Sequence, residues 1–274
     1  MRKRKKLMDF LLETILWVLS LIILIPLLMV LLNSVKNVTE SAVMSLKLPS
    51  SIHFENFLTV LKRGNMYRAF FNSLLISGTT AFITLISSAM AAFALNRNRT
   101  KVNRYIYMIF LLGLVAPINY ISTMRVMQLL HIINTYVGAI LLYTAINIPF
   151  TIFLYYGFIS GIPKELEEAA IIDGCSGFGV FFKIIFPLLK PVTVTALIIT
   201  FLNCWNDFVI PLYFLNSSKK WGMIMTMYNY FSQFVSSWNL VCAAMIFNLI
   251  PIIIVYVSGQ KYIVSGMTAG SVKG

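Results

Sequence analysis

From Ile15 to Leu32 the chain carries no charged residue, and five further apolar runs long enough to cross a bilayer follow it. Crossing roughly 30 Å of hydrocarbon takes about 20 helical residues, because every backbone N–H and C=O must find its partner inside the segment. Six segments meet that requirement: Leu11 to Leu32, Ala69 to Leu95, Tyr105 to Met124, Ile132 to Gly161, Pro191 to Leu215 and Trp238 to Ser258. The uncharged stretch from Trp221 to Gln260 is too long for one crossing, so an outer amphipathic segment is expected ahead of the sixth helix. A chain of 274 residues that is 59% hydrophobic and 11% charged lies outside the range of water-soluble domains. The expected fold class is therefore all-α integral membrane, with six transmembrane helices and lipid as the solvent for most of the surface.

The basic start, Arg2 to Lys6, ahead of an apolar run has the outline of a secretory signal. No small-residue cleavage site follows it, and the run is long enough to span, so an uncleaved first helix is expected. The net charge of +13 comes from 22 basic residues gathered in short clusters between apolar runs, not along one helix face. That pattern argues for topological anchors at a membrane surface and against a nucleic-acid partner. Cys175, Cys204 and Cys242 are far apart, and His53 and His131 have no carboxylate or cysteine at ligand spacing, so neither a disulfide framework nor a metal site is indicated.

Cytoplasmic loops are enriched in Lys and Arg. With the N-terminus inside, the inner segments hold Arg2 to Lys6, then Arg97, Arg99, Lys101 and Arg104, then Lys164, Lys183 and Lys190, then Lys261 and Lys273. The short outer loops hold Arg125, Lys219 and Lys220. Both termini are thus expected in the cytoplasm. The long segment from Asn33 to Arg68 falls outside, with an amphipathic stretch from Phe54 to Leu61; its Asn37-Val38-Thr39 matches a glycosylation acceptor, a pattern short enough to arise by chance.

The longest inner loop reads Ile162-Pro163-Lys164-Glu165-Leu166-Glu167-Glu168-Ala169-Ala170-Ile171-Ile172-Asp173-Gly174-Cys175 and continues to Lys183-Ile184-Ile185-Phe186-Pro187. Pro163 suits a first helical turn, the three glutamates complement the positive end of the helix dipole, and Gly174 can end the helix in a left-handed cap. A second short helix is expected over Phe178 to Phe186. Ala170 and Gly174 lie on one face with Ala169 beside them, a side-chain-poor surface onto which another protein can close. An ordinary connector packed on the bundle is the competing reading of the same residues.

Glu168-Ala169-Ala170, three residues, Gly174, nine residues, Ile184 and Phe186-Pro187 resemble the EAA loop of ATP-binding-cassette importer permeases, with Phe186 where that family usually has Leu. Pro149-Phe150, Trp205-Asn206-Asp207-Phe208 and the terminal run Gly266 to Gly274 resemble the carbohydrate branch, typified by the smaller maltose-type permease subunit. The resemblance implies the type I importer permease fold, with residues 1–67 holding the first helix and outer segment, 68–260 a five-helix core containing the loop 162–191, and 261–274 a cytoplasmic tail. It implies Glu168, Ala169, Ala170, Asp173 and Gly174 as this chain's contact with a cytoplasmic ATPase. No Gly-x-x-x-x-Gly-Lys-Ser/Thr stretch is present, so hydrolysis is expected on a partner, and the resemblance implies two ATPase subunits that hold ATP and Mg. A second, nonidentical permease, an extracellular solute-binding protein and a bacterial cell membrane complete the expected setting.

A sugar path calls for amides, hydroxyls and aromatic faces. Asn119, Tyr120, Asn147, Asn203, Trp205, Asn206, Asp207 and Asn248 are the candidates, each with structural use between helices as its alternative. Asp207 is the one acid deep inside an expected crossing, Glu13 standing near the start of the first; a structural or gating role competes there with a proton relay, for which no second deep membrane acid or histidine is present. A secondary transporter would show repeats and several intramembrane charges, and a membrane enzyme a nucleophile with its base. The nearest rival is an importer permease for amino acids, phosphate or phosphonate, since the EAA loop is shared across importers.

Overall fold

The computed structural model describes residues 2–230 and 237–269, with side chains over 8–230 and 237–260. Among them every regular element is helical. Four helices are long and apolar enough to cross a membrane: Met8–Ser34, Met66–Arg97, Tyr136–Ile159 and Trp238–Gln260. Two pairs meet the same criteria together, Lys101–Val115 with Tyr120–Leu129 and Gly177–Leu188 with Lys190–Asn206, and the count is six when each pair is one span. The tail from Gly266 to Gly274 lies outside the residues with described side chains.

Two of the expected continuous spans break close to a proline, whereas Pro26, Pro149 and Pro251 lie inside unbroken helices. The third runs straight only to Val115, then bends by 119° before Tyr120. Ala116 precedes Pro117 and is extended, at φ −67° and ψ 120°, because the proline ring disfavours the helical conformation of the residue before it. The chain re-enters a helix at Tyr120 after Asn119, whose side chain accepts the Ser122 N–H at 3.0 Å. The fifth span likewise ends at Asn206 and resumes as Val209–Phe214. An unbroken helix would drive the ring of Pro211 into the carbonyl of Asp207, four residues back. The second short helix of the loop 162–191 is also irregular: Gly177–Val180 passes into a π turn over Phe181–Ile185, where the Phe186 N–H reaches back to the Phe181 carbonyl.

The chain divides into two units. One comprises Met1–Tyr67 and Thr226–Ile250. Here the first helix exposes apolar side chains along its length, as a helix wrapped in lipid would. The segment that follows is organised by amides. Asn56 Nδ2 donates to the carbonyls of Ser34 at 2.8 Å and Lys36 at 2.9 Å, and Asn239 Nδ2 donates to Asn56 Oδ1 at 2.8 Å. Lys36 is buried, its ammonium donating to Asn33 Oδ1 at 3.1 Å and the Ser45 carbonyl at 2.7 Å. The amphipathic stretch expected near Phe54 is the helix Glu55–Arg63.

The other unit comprises Arg68–Met225 and Pro251–Gly274. Ala89 and Ala92 pack with Ile152, Tyr155 and Ile159 and with Phe181, Ile185 and Leu189 of the loop 162–191. A second cluster joins Ile76, Ala139, Tyr143, Cys204, Ile210 and Phe214. Lipid tails are as apolar as these side chains, so close approach and dispersion hold such clusters together more than expulsion of water does, and the alanines permit the approach.

Candidate functional site

The loop 162–191 begins with the helix Glu165–Ile172, whose first turn carries Glu165, Glu167 and Glu168. It ends in a Schellman motif: Gly174 sits at φ +85°, its N–H donates to Ile171 O at 3.0 Å, and the Cys175 N–H donates to Ala170 O at 2.9 Å. The left-handed cap expected of Gly174 is therefore present. A Cβ built on Gly174 would meet nothing within 4 Å, so glycine is required by the backbone and not by crowding.

Ala170 is 5% exposed and belongs to the cluster beneath the loop, whereas Glu168, Ala169, Asp173 and Gly174 are exposed. The five residues thus divide between an inward face that seats the helix and an outward face that the rest of the chain leaves uncovered. Leu166, Ile171 and Ile172 extend the outward face, with Ile172 85% exposed. Phe186, in the position the family usually gives to Leu, joins an aromatic group with Phe181 at 5.8 Å and Phe182 at 6.3 Å between ring centroids. Phe93 meets Phe181 at 5.5 Å, so the larger ring fills space within an aromatic seat.

An ion pair ties this helix to the bundle. Arg97 Nε donates to Glu167 Oε1 at 2.6 Å, with both side chains only 12% exposed, and Arg97 Nη2 donates to the Ile162 carbonyl at 3.0 Å. Sequence reasoning assigned Arg97 to topology and Glu167 to the helix dipole. Their pairing spans 70 residues of chain, and nothing in the local pattern signals it.

Further along the unit, Tyr120, Asn147, Asn203, Asn206 and Asp207 line one cleft of about 420 Å³ together with Tyr143. Asn203 Nδ2 donates to Asn147 Oδ1 at 3.2 Å, and Asn147 Nδ2 donates to the Tyr143 carbonyl at 2.8 Å. The Asp207 carboxylate accepts the Tyr143 hydroxyl at 2.8 Å, the Ile210 N–H at 2.9 Å and the Val209 N–H at 3.3 Å. An acid at a helix break, supplied with three donors, explains how a carboxylate is accommodated in an apolar segment. Tyr143 was absent from the sequence-based candidates; its place one helical turn before Asn147 was the available signal.

The remaining candidates lie elsewhere. Trp205 is 1% exposed, stacked on Phe201 at 5.2 Å and edge-on to Phe70 at 6.0 Å, which makes it part of the packing. Asn119 is the exposed cap described above. Asn248 is buried in the unit formed by Met1–Tyr67 and Thr226–Ile250.

A bundle of membrane helices with a polar cleft among them and a capped helix pinned to it suits a transport permease, and its type I importer fold is shared with the solved structure described below. The chain belongs to the family of binding-protein-dependent transport system inner membrane components, whose model matches residues 83–269. It is 34% identical over 258 residues to the probable starch degradation products transport system permease protein AmyC of Thermoanaerobacterium thermosulfurigenes, covering 93% of this chain and 94% of that one. It is 35% identical over 279 residues to the multiple sugar-binding transport system permease protein MsmG of Streptococcus mutans, covering both chains in full. Among solved structures it matches a chain of a bacterial ABC transporter involved in the import of the acidic polysaccharide alginate, with a TM-score of 0.82 at 21% identity, covering 94% of this chain and 96% of that one.

Proposed function

We propose that this chain is one of two nonidentical permease subunits of an ATP-driven importer for neutral carbohydrate, set in a bacterial cell membrane with both termini in the cytoplasm. The observation that carries the reading is the capped helix Glu165–Ile172, seated inward by Ala170, held to the bundle by Arg97–Glu167 and presenting Glu168, Ala169, Ile172 and Asp173 outward. A rigid short helix of this kind transmits a push as a lever would. A partner ATPase, holding ATP and Mg, would close on the outward face; the helix would move with it, and the ion pair and aromatic seat would carry that motion to the bundle.

Relatives named for sugars and starch products support carbohydrate as the cargo. The cleft supports a neutral one: its amides, tyrosines and one carboxylate offer donors and acceptors to hydroxyl groups, and no Lys or Arg lines it to attract an acidic sugar. An extracellular solute-binding protein would deliver the cargo, in keeping with the family's description.

The test uses cysteine at position 172 and crosslinking in membranes that contain the whole transporter. A crosslink to a nucleotide-binding subunit that changes with ATP is expected, together with ATP-dependent uptake of a labelled neutral oligosaccharide. Uptake by the purified chain alone, or no crosslink at any position from 165 to 175, overturns the proposal.

A further inference from the structure

We infer that a cleft at the start of the helix Lys101–Val115 binds the headgroup of an anionic phospholipid, whose acyl chain runs along that helix. The cleft measures about 540 Å³, and Arg99, Lys101 and Arg104 supply its cationic side. No acid lines it, and none of the three cations takes part in an ion pair among the described residues. They stand exposed and uncompensated, two to seven residues beyond Arg97 and therefore at the same end of the bundle as the loop it anchors.

The second half of the argument is the apolar wall. Arg104, Tyr107, Met108 and Leu111 line the cleft and follow one another at helical spacing, so they share one face. Along that face the charge gives way to a tyrosine and then to aliphatic side chains within about 10 Å at 1.5 Å of rise per residue. Tyr107 is held in place by stacking on Tyr156, with ring centroids 4.0 Å apart and planes 19° from parallel. None of the residues in this helix is buried, and Ile109 and Leu112 are 66% and 70% exposed on its other sides. A face that starts cationic and turns apolar in a membrane-spanning chain matches an amphiphile with a negative head. A soluble acidic protein could satisfy the cations but not the apolar wall beyond them, and free phosphate would satisfy only the first part. Basic side chains flanking an apolar segment draw anionic lipid in this way, and three of them together favour it over zwitterionic lipid by roughly a hundredfold.

The test is a native mass-spectrometry titration of the full-length chain, alone and in its assembled transporter, with phosphatidylglycerol and phosphatidylcholine. Expected is retention of one phosphatidylglycerol at concentrations at least tenfold below those needed for phosphatidylcholine. The variant R99Q/K101Q/R104Q loses that preference, R99K/R104K keeps it, and R125Q/K47Q/K62Q, which removes three charges elsewhere, leaves it intact. Leu111→Asp, which spares the cations, weakens phosphatidylglycerol retention as well. Equal retention of the two lipids overturns the site, as does an unchanged preference in the glutamine variant. Displacement of phosphatidylglycerol by millimolar inorganic phosphate would reassign the cleft to a free anion, and loss of the preference on assembly would reassign it to a partner chain. Because lipid retention is read without transport, failure here leaves the importer proposal standing, and the reverse also holds.

Discussion

Gly174 has two separable duties, and three substitutions divide them. Its φ of +85° places it in the left-handed region, where an alanine costs about 1–2 kcal/mol and an asparagine, whose side chain bonds locally, costs less. A Cβ at this site meets nothing within 4 Å inside the chain, so the intramolecular penalty comes from backbone conformation alone. For Gly174→Ala, 1–2 kcal/mol corresponds to a roughly 5- to 30-fold loss in the ratio of capped to uncapped helix. The bonds from the Gly174 and Cys175 N–H groups to Ile171 O and Ala170 O should open by that factor. Hydrogen exchange of the 165–180 peptide, read by mass spectrometry on the full chain in lipid nanodiscs, measures it. Gly174→Asn should exchange close to the parent and Gly174→Ala faster. Uptake should order the other way if a partner closes tightly on this surface, because Asn is the bulkier of the two, and a tryptophan should abolish uptake while the protein still reaches the membrane. Exchange that is the same in Ala and parent would refute the cap argument. Normal uptake with tryptophan would refute the contact argument.

Arg97→Gln leaves Glu167 without its cation; between the limits for exposed and buried pairs, a loss of about 1–3 kcal/mol of local stability is expected, seen as faster exchange across 162–172. The exchange of charges in Arg97→Glu with Glu167→Arg should recover part of that loss, and no recovery would mean that the Ile162 carbonyl contact dominates. Asp207→Asn keeps an acceptor for Tyr143 and should retain partial uptake with an unshifted pH profile, whereas Asp207→Ala strands the hydroxyl at a cost of about 1–3 kcal/mol and should lower thermal stability; a large pH shift in the Asn variant would point to proton transfer instead. Trp205→Ala removes a buried ring at about 3–5 kcal/mol, so folded protein recovered from membranes should fall sharply, and a change confined to the KM for sugar would place the ring in the path after all.

What could be read from the residues alone was whatever a bilayer or a single turn of backbone dictates. Lipid offers no partner to an unpaired peptide group, so apolar length by itself indicated helices and their approximate places, and Trp238 as the start of the last helix came out directly. Gly174 was legible because a helix end is a local event spanning a few residues. Hydropathy predicts the third and fifth spans as continuous although they hold Pro117 and Pro211, because it averages over the very residues whose geometry breaks a helix. The cleft was half legible: amides on several helices announced polarity, but which of them converge depends on helix rotation. That rotation turned Trp205 into the packing and brought Tyr143 to Asp207 across 64 residues. The pairing of Arg97 with Glu167 is of the same kind, since opposite charges distant in the chain have many permitted partners and only the folded bundle selects one.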